Sequence, residues 1–289
     1  MTRGRRDLLT LLAAGLLAAP PHAARSQNAE PLSAGQIARL LASPERSEAD
    51  RINDKRRRPD QMLAFIGARP GITALDLSAA GGYTTELLAR VIGPSGTVYG
   101  QSRPPPATPT PPPAAPEGNS HPSLTAQTPP PVRAAPRPSP VALADRDKAL
   151  HDAGVPAAKI VAVVRPFEDP VPPELTPDRL DLVTLMFNYH DLGHLGVDRA
   201  AMNRAVFRAL KPGGMYVIAD HSGRPGTGIS EAGTLHRIEE AFLRREVETA
   251  GFRLTGEADF LRNPNDPRDK NTPDPPQPKD EFVLRFTRP

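Results

Sequence analysis

The feature that most constrains the fold is a short strand feeding a helix that feeds a second strand. Thr73-Ala-Leu-Asp-Leu77 is a brief run suited to a buried strand, and the small-residue turn Ser78 to Gly82 follows it. Residues 84–92 then carry Leu87, Leu88, Val91 and Ile92 on one helical face and stop at Gly93-Pro94. A strand over Gly96 to Gln101 comes directly after. Two strands joined by a helix pair in parallel, and a parallel sheet needs helices on both faces.

The alternation continues. The sequence predicts a helix over 141–153, strands over 159–164 and Asp181 to Phe187, and a helix over 198–210 with Met202, Ala205, Val206, Ala209 and Leu210 on one side. Lys211-Pro-Gly-Gly214 reads as a turn into the strand Met215 to Ala219. A long helical stretch follows over 231–250, and two strands, 252–261 and 281–287, close the chain without a helix between them. This is a doubly wound α/β pattern: a mostly parallel seven-stranded sheet with an antiparallel edge hairpin. Ligands of such sheets sit beyond the carboxyl ends of the strands, where strand order reverses.

Two segments fall outside that pattern. Arg3, Arg5 and Arg6 precede an apolar run from Leu8 to Ala19, and Ala24-Arg25-Ser26 fits a small-x-small cleavage site, so residues 1–26 read as a signal peptide. Arg5-Arg6 followed by Asp7-Leu8-Leu9 resembles a twin-arginine leader, which implies export to the periplasm. Between Arg103 and Pro140 lie fifteen of the chain's 37 prolines with scarcely any apolar bulk, and this insert is expected to be disordered. Residues 27–60 then form a helical N-terminal extension, with helices broken at Pro44 and Pro59. Its basic run Arg51 to Arg58 is expected on a solvated face. The main domain occupies 61–289, interrupted by the insert.

Composition removes several functions. With no cysteine there is no disulfide framework, thiolate nucleophile or iron–sulfur cluster. No apolar run reaches the roughly 18 residues that span a bilayer, which excludes a polytopic membrane protein. The net charge of +3 resides in the first 26 residues, the rest is neutral, and there is no Trp and only four Tyr; nothing suggests a nucleic-acid surface.

Candidate site residues lie at the strand ends. The turn Asp76-Leu77-Ser78-Ala79-Ala80-Gly81-Gly82-Tyr83 suits close approach of a ligand to the backbone. The segments Phe187-Asn188-Tyr189-His190-Asp191 and Asp220-His221 end the fourth and fifth strands, which are neighbours in a doubly wound sheet, so both histidines fall at one rim. Imidazoles titrate near neutrality and suit proton transfer.

The order of these segments, with Gly-Thr-Val-Tyr-Gly100, Leu210-Lys-Pro-Gly-Gly214 and the closing hairpin, resembles a class I S-adenosylmethionine-dependent methyltransferase. Asn188-Tyr189-His190-Asp191, Ala219-Asp220-His221 and Asn263-Pro-Asn-Asp-Pro267 are similar to an exported group of predicted methyltransferases. The resemblance implies methyl transfer from S-adenosylmethionine to a small-molecule acceptor. It places Asp76, Ser78, Ala80, Gly81, Gly82, Tyr83, Gln101 and Asn188 around the cofactor, with His190, His221 and Tyr189 doing the chemistry and no metal. Where the family carries three alternate glycines this chain has Ser78, Ala80 and Gly82, and Gln101 stands where an acid would hold the ribose. Two other readings exist: a ligand-binding protein on a methyltransferase fold without turnover, and a metal-dependent hydrolase using His190, Asp191, His194 and His221, with residues 190–195 in a loop. His236-Arg237 either caps the pocket or faces solvent. The loop Asn263 to Pro278 either covers the site or is disordered.

Overall fold

The computed structural model describes residues 29–105, 137–273 and 275–289, together with Met1. The leader, His22, His121 and nearly all of the Pro-rich insert lie outside the described residues. Seven strands form one sheet in the order β3-β2-β1-β4-β5-β7-β6. They are β1 (Thr73–Leu77), β2 (Thr97–Ser102), β3 (Lys159–Val164), β4 (Leu180–Met186), β5 (Leu210–His221), β6 (Arg253–Ala258) and β7 (Glu281–Thr287). β1 pairs in parallel with β2 and β4, β2 with β3, and β4 with β5; β7 runs antiparallel between β5 and β6. The strand order reverses between β1 and β4, which puts the switch point beside the turn after Leu77.

One face of the sheet carries α1 (Ala34–Leu41), α2 (Glu48–Arg57), α3 (Pro59–Ile66), α4 (Tyr83–Ile92) and α5 (Ser139–Asp152). Their apolar side chains, among them Ile37, Ile66, Leu88, Ile92 and Leu143, form one core layer with Val98, Leu182 and Val217. The other face carries α6 (Tyr189–His194), α7 (Arg199–Ala209) and α8 (Glu240–Thr249). There Met202, Val206, Leu243 and Val247 pack on Leu75, Val183 and Ile218. No helix among the described residues is long and apolar enough to cross a membrane.

Four local expectations are corrected. The Lys211–Gly214 segment is not a separate turn: β5 begins at Leu210, and a register shift against Leu180 and Leu182 absorbs it. Helix α5 begins at Ser139, with proline in its first turn where a missing N–H is harmless. The stretch 189–194 is a helix, not a loop. The predicted helix over 231–250 forms only over Glu240–Thr249, because the preceding segment pairs with the end of β5 instead. Ile238 N–H donates to His221 O, and Gly223 N–H donates to Ile238 O. Tertiary pairing there overrides a local helical pattern, and it swings His236 toward the sheet.

Candidate functional site

The turn after β1 holds an unusual backbone. Ser78, Ala80 and Gly82 all have positive φ, at 54°, 47° and 79°. Glycine adopts this region freely, whereas a side chain there costs on the order of 1 kcal/mol per residue. The chain therefore keeps a glycine-type turn at two positions that are not glycine. Gly82 itself is packed: a Cβ there would stand 2.8 Å from both Arg146 Cδ and Leu143 Cδ2. Asp76 fixes the turn from below. Its carboxylate is buried and accepts from Thr85 Oγ1 in α4 (2.7 Å) and Thr184 Oγ1 in β4 (2.8 Å). Burial pushes its pKa up to about 6, against the lowering effect of those two hydroxyls.

Two arginines of α2 lie over Phe187 at the end of β4, which corrects in part the expectation that residues 51–58 form a solvated face: Lys55 and Arg58 are exposed, whereas Arg56 and Arg57 are half-buried. The Arg57 guanidinium lies 4.0 Å from the centroid of the Phe187 ring, and Arg56 lies 5.0 Å from it. Arg56 Nη1 also donates to Glu281 Oε1 at 2.6 Å. Beneath Arg57 a cavity of about 20 Å³, lined by Met62, Tyr83, Leu87, Met186 and Phe187 among others, leaves room for little more than one water. Tyr83 donates its hydroxyl to Asp54 Oδ1 (2.7 Å), tying α4 to α2.

Gln101 is not presented to a ligand. It is fully buried, its Oε1 accepts from Ser78 N–H (3.1 Å), and its Nε2 donates to Arg165 O (2.7 Å). Because side chains alternate along a strand, the next residue, the half-buried Ser102, faces the opposite side at the end of β2. Tyr189 is corrected as well. It is fully buried, donates to Glu246 Oε2 (3.0 Å) and accepts from Asn203 Nδ2 (2.8 Å), so it braces α6 against α7 and α8 and does not line the rim.

Asn188 joins the two halves of the rim. Ser78 Oγ donates to Asn188 Oδ1 at 2.6 Å, and Asn188 Nδ2 donates to Asp191 Oδ2 at 2.6 Å. Beyond it lie three imidazoles. His190 and His221 have ring centroids 5.3 Å apart, and His190 and His236 5.6 Å apart. The Asp220 carboxylate anchors His190: it accepts from the ring Nδ1 at 2.6 Å and from the backbone N–H of both His190 and His221 at 2.8 Å. Burial alone would depress the His190 pKa, but Asp220 and Asp191 outweigh it and hold it at about 10. Burial keeps His221 well below the usual value, with Lys279 and His190 adding positive charge nearby. Its Nδ1 stands 2.9 Å from Glu281 Oε1 but off the line a hydrogen bond needs.

Sequence reasoning brought His190, His221 and Asp191 to one place, and the structure agrees. It separates His194, which is exposed at the end of α6 with its ring against Gly233. His236 takes that place instead: its Nδ1 is 3.1 Å from Asp191 Oδ1, and His190 Nε2 is 3.2 Å from the same oxygen. Its backbone is left-handed, φ 50°. Arg237 faces inward, fully buried, bonded to Ser222 O and paired with Asp266 at 2.9 Å. With Asp280, which accepts from Asn263 N–H, it pins the loop between β6 and β7 beside the rim. The signal that could have found His236 was weak: its separation of 45 residues from Asp191 carries no periodicity.

The fold is that of known methyltransferases. The chain is similar to an arsenic(III) S-adenosylmethionine methyltransferase from Chlamydomonas reinhardtii, at 14% identity over 88% of this chain and 73% of that one, with a TM-score of 0.52. It is also similar to the [4+2]-cyclase SpnF, at 14% identity over 86% and 85% of the two chains and a TM-score of 0.51. An S-adenosylmethionine-dependent methyltransferase from Aquifex aeolicus aligns over 89% of this chain and all of its own, at 15% identity and a TM-score of 0.48. No protein-family model matches the sequence. No curated protein matches it either. The likeness to the first two establishes a Rossmann-like methyltransferase fold, and a cyclase among the neighbours illustrates that one fold hosts different reactions.

Proposed function

We propose that the chain is an S-adenosylmethionine-dependent methyltransferase acting on a small-molecule acceptor. The observation that carries this reading is the turn Ser78–Gly82. It holds three alternate left-handed residues at the switch point although two of them bear side chains. Strain retained at a switch point supports a functional role, because a turn free to relax would have done so.

In this reading the methionine end of the cofactor lies at the turn Ser78–Gly82. The turn backbone and the first N–H groups of α4 would hold it, and Arg57, carried over the cleft by α2, is the cation that would meet its carboxylate. When bound, the cofactor supplies an electrophilic methyl group. The protein's own part is to place the acceptor against Phe187 and Asn188 and to receive its proton. His221, whose ring centroid lies 5.7 Å from that of Phe187, would take that role. Export to the periplasm through the leader at residues 1–26 belongs to the same proposal, as does the absence of a nucleic-acid substrate.

Calorimetric titration of the full chain with S-adenosylmethionine and S-adenosylhomocysteine tests the reading. Micromolar binding is expected, and it should survive in Ala80→Gly, which relieves the strain and should also raise stability by about 0.5–1 kcal/mol. No heat and no thermal shift at millimolar cofactor, in either protein, would leave only the fold.

A further inference from the structure

The geometry points to a divalent transition-metal site formed by His190 Nε2, Asp191 Oδ1 and His236 Nδ1. These three donor atoms all lie within 4.8 Å of one another, and they form the one such group of histidine and carboxylate ligands among the described residues. Two of the three edges are 3.2 Å and 3.1 Å, both measured to Asp191 Oδ1. Ligands about 2.0–2.1 Å from a tetrahedral zinc are separated by roughly 3.3 Å, so both edges already have the length a bound ion would impose. The third edge, between the two imidazole nitrogens, is no longer than 4.8 Å.

The surroundings are built as a metal site requires. His190 has its other ring nitrogen on Asp220 at 2.6 Å, and that carboxylate is itself held by two backbone N–H groups. A carboxylate on the far nitrogen of a ligating imidazole orients the ring, and a metal at Nε2 would displace the proton that this nitrogen directs at Asp191. Asp191 has its second oxygen engaged by Asn188 Nδ2 at 2.6 Å, which leaves Oδ1 for a single metal bond. His236 contributes an independent observation. It is held at φ 50°, a strained conformation for a residue with a β-carbon, in a segment that gave up its helical pattern to reach β5. Partly exposed side chains at Asp191 and His236 leave one side of the group open to solvent and to a ligand.

Two imidazoles and one carboxylate suit zinc or iron(II) and leave coordination positions unfilled. An acceptor hydroxyl bound there would lose its proton more readily, as metal-bound water does. That role rests on the methyltransferase reading, since Asn188 links the group directly to Ser78; binding of the metal itself does not.

The test uses the full chain purified without chelator. Elemental analysis, followed by titration of the chelator-treated protein with zinc chloride and with cobalt(II) chloride, should show one ion per chain. Cobalt(II) should give visible absorption of low-symmetry coordination. Asp191→Asn and His236→Ala should each weaken binding at least tenfold with unchanged circular dichroism, while His194→Ala should bind like the parent. Absence of zinc and cobalt binding at 100-fold molar excess in a folded protein would overturn the site. Binding that persists in both Asp191→Asn and His236→Ala would overturn it equally, by placing the ion elsewhere. Cofactor titration on the same samples separates the two readings: metal without cofactor affinity sinks the methyltransferase alone, and cofactor affinity without metal sinks the metal site alone.

Discussion

Strain and charge meet in single residues along this rim. Ser78, Ala80, Phe187 and His236 are four of the seven non-glycine residues with positive φ among the described residues; Ser78 and His236 are linked through Asn188 and Asp191, and Phe187 directly precedes Asn188. Asp76 is the charged counterpart: a carboxylate 2% exposed, with two hydroxyl donors and the Arg57 charge as its compensation. Its folded pKa of about 6 lies above the ordinary 3.8, so between those values the native state binds more protons than the unfolded chain. Stability conferred by that proton is fully present below pH 3.8 and is lost as pH rises through 6. The loss is about 3 kcal/mol at most, since a tenfold change in proton affinity is worth about 1.4 kcal/mol. Urea midpoints at pH 4, 5, 6 and 7 should therefore show a decline attributable to Asp76 that is absent in Asp76→Asn. An Asp76→Asn profile parallel to the parent's would mean that the two threonine hydroxyls already compensate the charge in full.

Between elements, polar clamps do the positioning. Arg146 of α5 reaches across α4: its Nε donates to Gly81 O at 2.6 Å, Nη1 and Nη2 pair with Asp50 of α2 at 2.7 and 2.9 Å, and Nη1 also meets Glu86. Asp50 and Glu86 are buried, so removing the guanidinium takes a cation away from two buried carboxylates at once. Arg146→Ala should destabilise the protein by about 3 kcal/mol or more and weaken cofactor binding, because Gly81 loses its brace. Thermal unfolding and cofactor titration of the variant check both effects; an unchanged melting temperature would show the clamp to be a solvent-screened contact. The contrast with what the sequence revealed is physical. Strands and helices of the sheet were legible because their apolar spacing is periodic, and the switch point follows from their order. Arg146, Arg57 and Arg237 were not, because a guanidinium that bridges elements leaves no periodic trace and reads as an ordinary surface charge. His190 and His221 were legible through their places at the ends of adjacent strands. His236 was hidden by a helical pattern that the pairing of Ile238 with β5 overrides.

At the scale of the whole molecule, the helices before β1 are part of the folded body. Ile37, Met62 and Ile66 belong to the same core layer as Leu88 and Val98. Arg46 pairs with Asp54, which in turn receives the Tyr83 hydroxyl, so α2 and α4 share one network. Arg56, on the same helix, reaches the sheet by meeting Glu281, the first residue of β7. Glu281 is 3% exposed, and burial pushes its pKa up while Arg56 and Arg57 oppose the shift. A chain lacking residues 29–58 would expose one face of α4 and leave that carboxylate without its arginine, beside His221. Such a chain should aggregate or unfold at a markedly lower urea midpoint than the chain that retains them, and any soluble fraction should lose cofactor affinity with Arg57. Arg57→Gln separates the two effects, since it removes the charge over Phe187 but leaves the packing of Ile37 and Met62: it should retain the parent's stability within about 1 kcal/mol and still bind cofactor at least tenfold more weakly. If the shortened chain folded with the parent's midpoint, the helices would be an appendage, and the cleft would have to be completed without them.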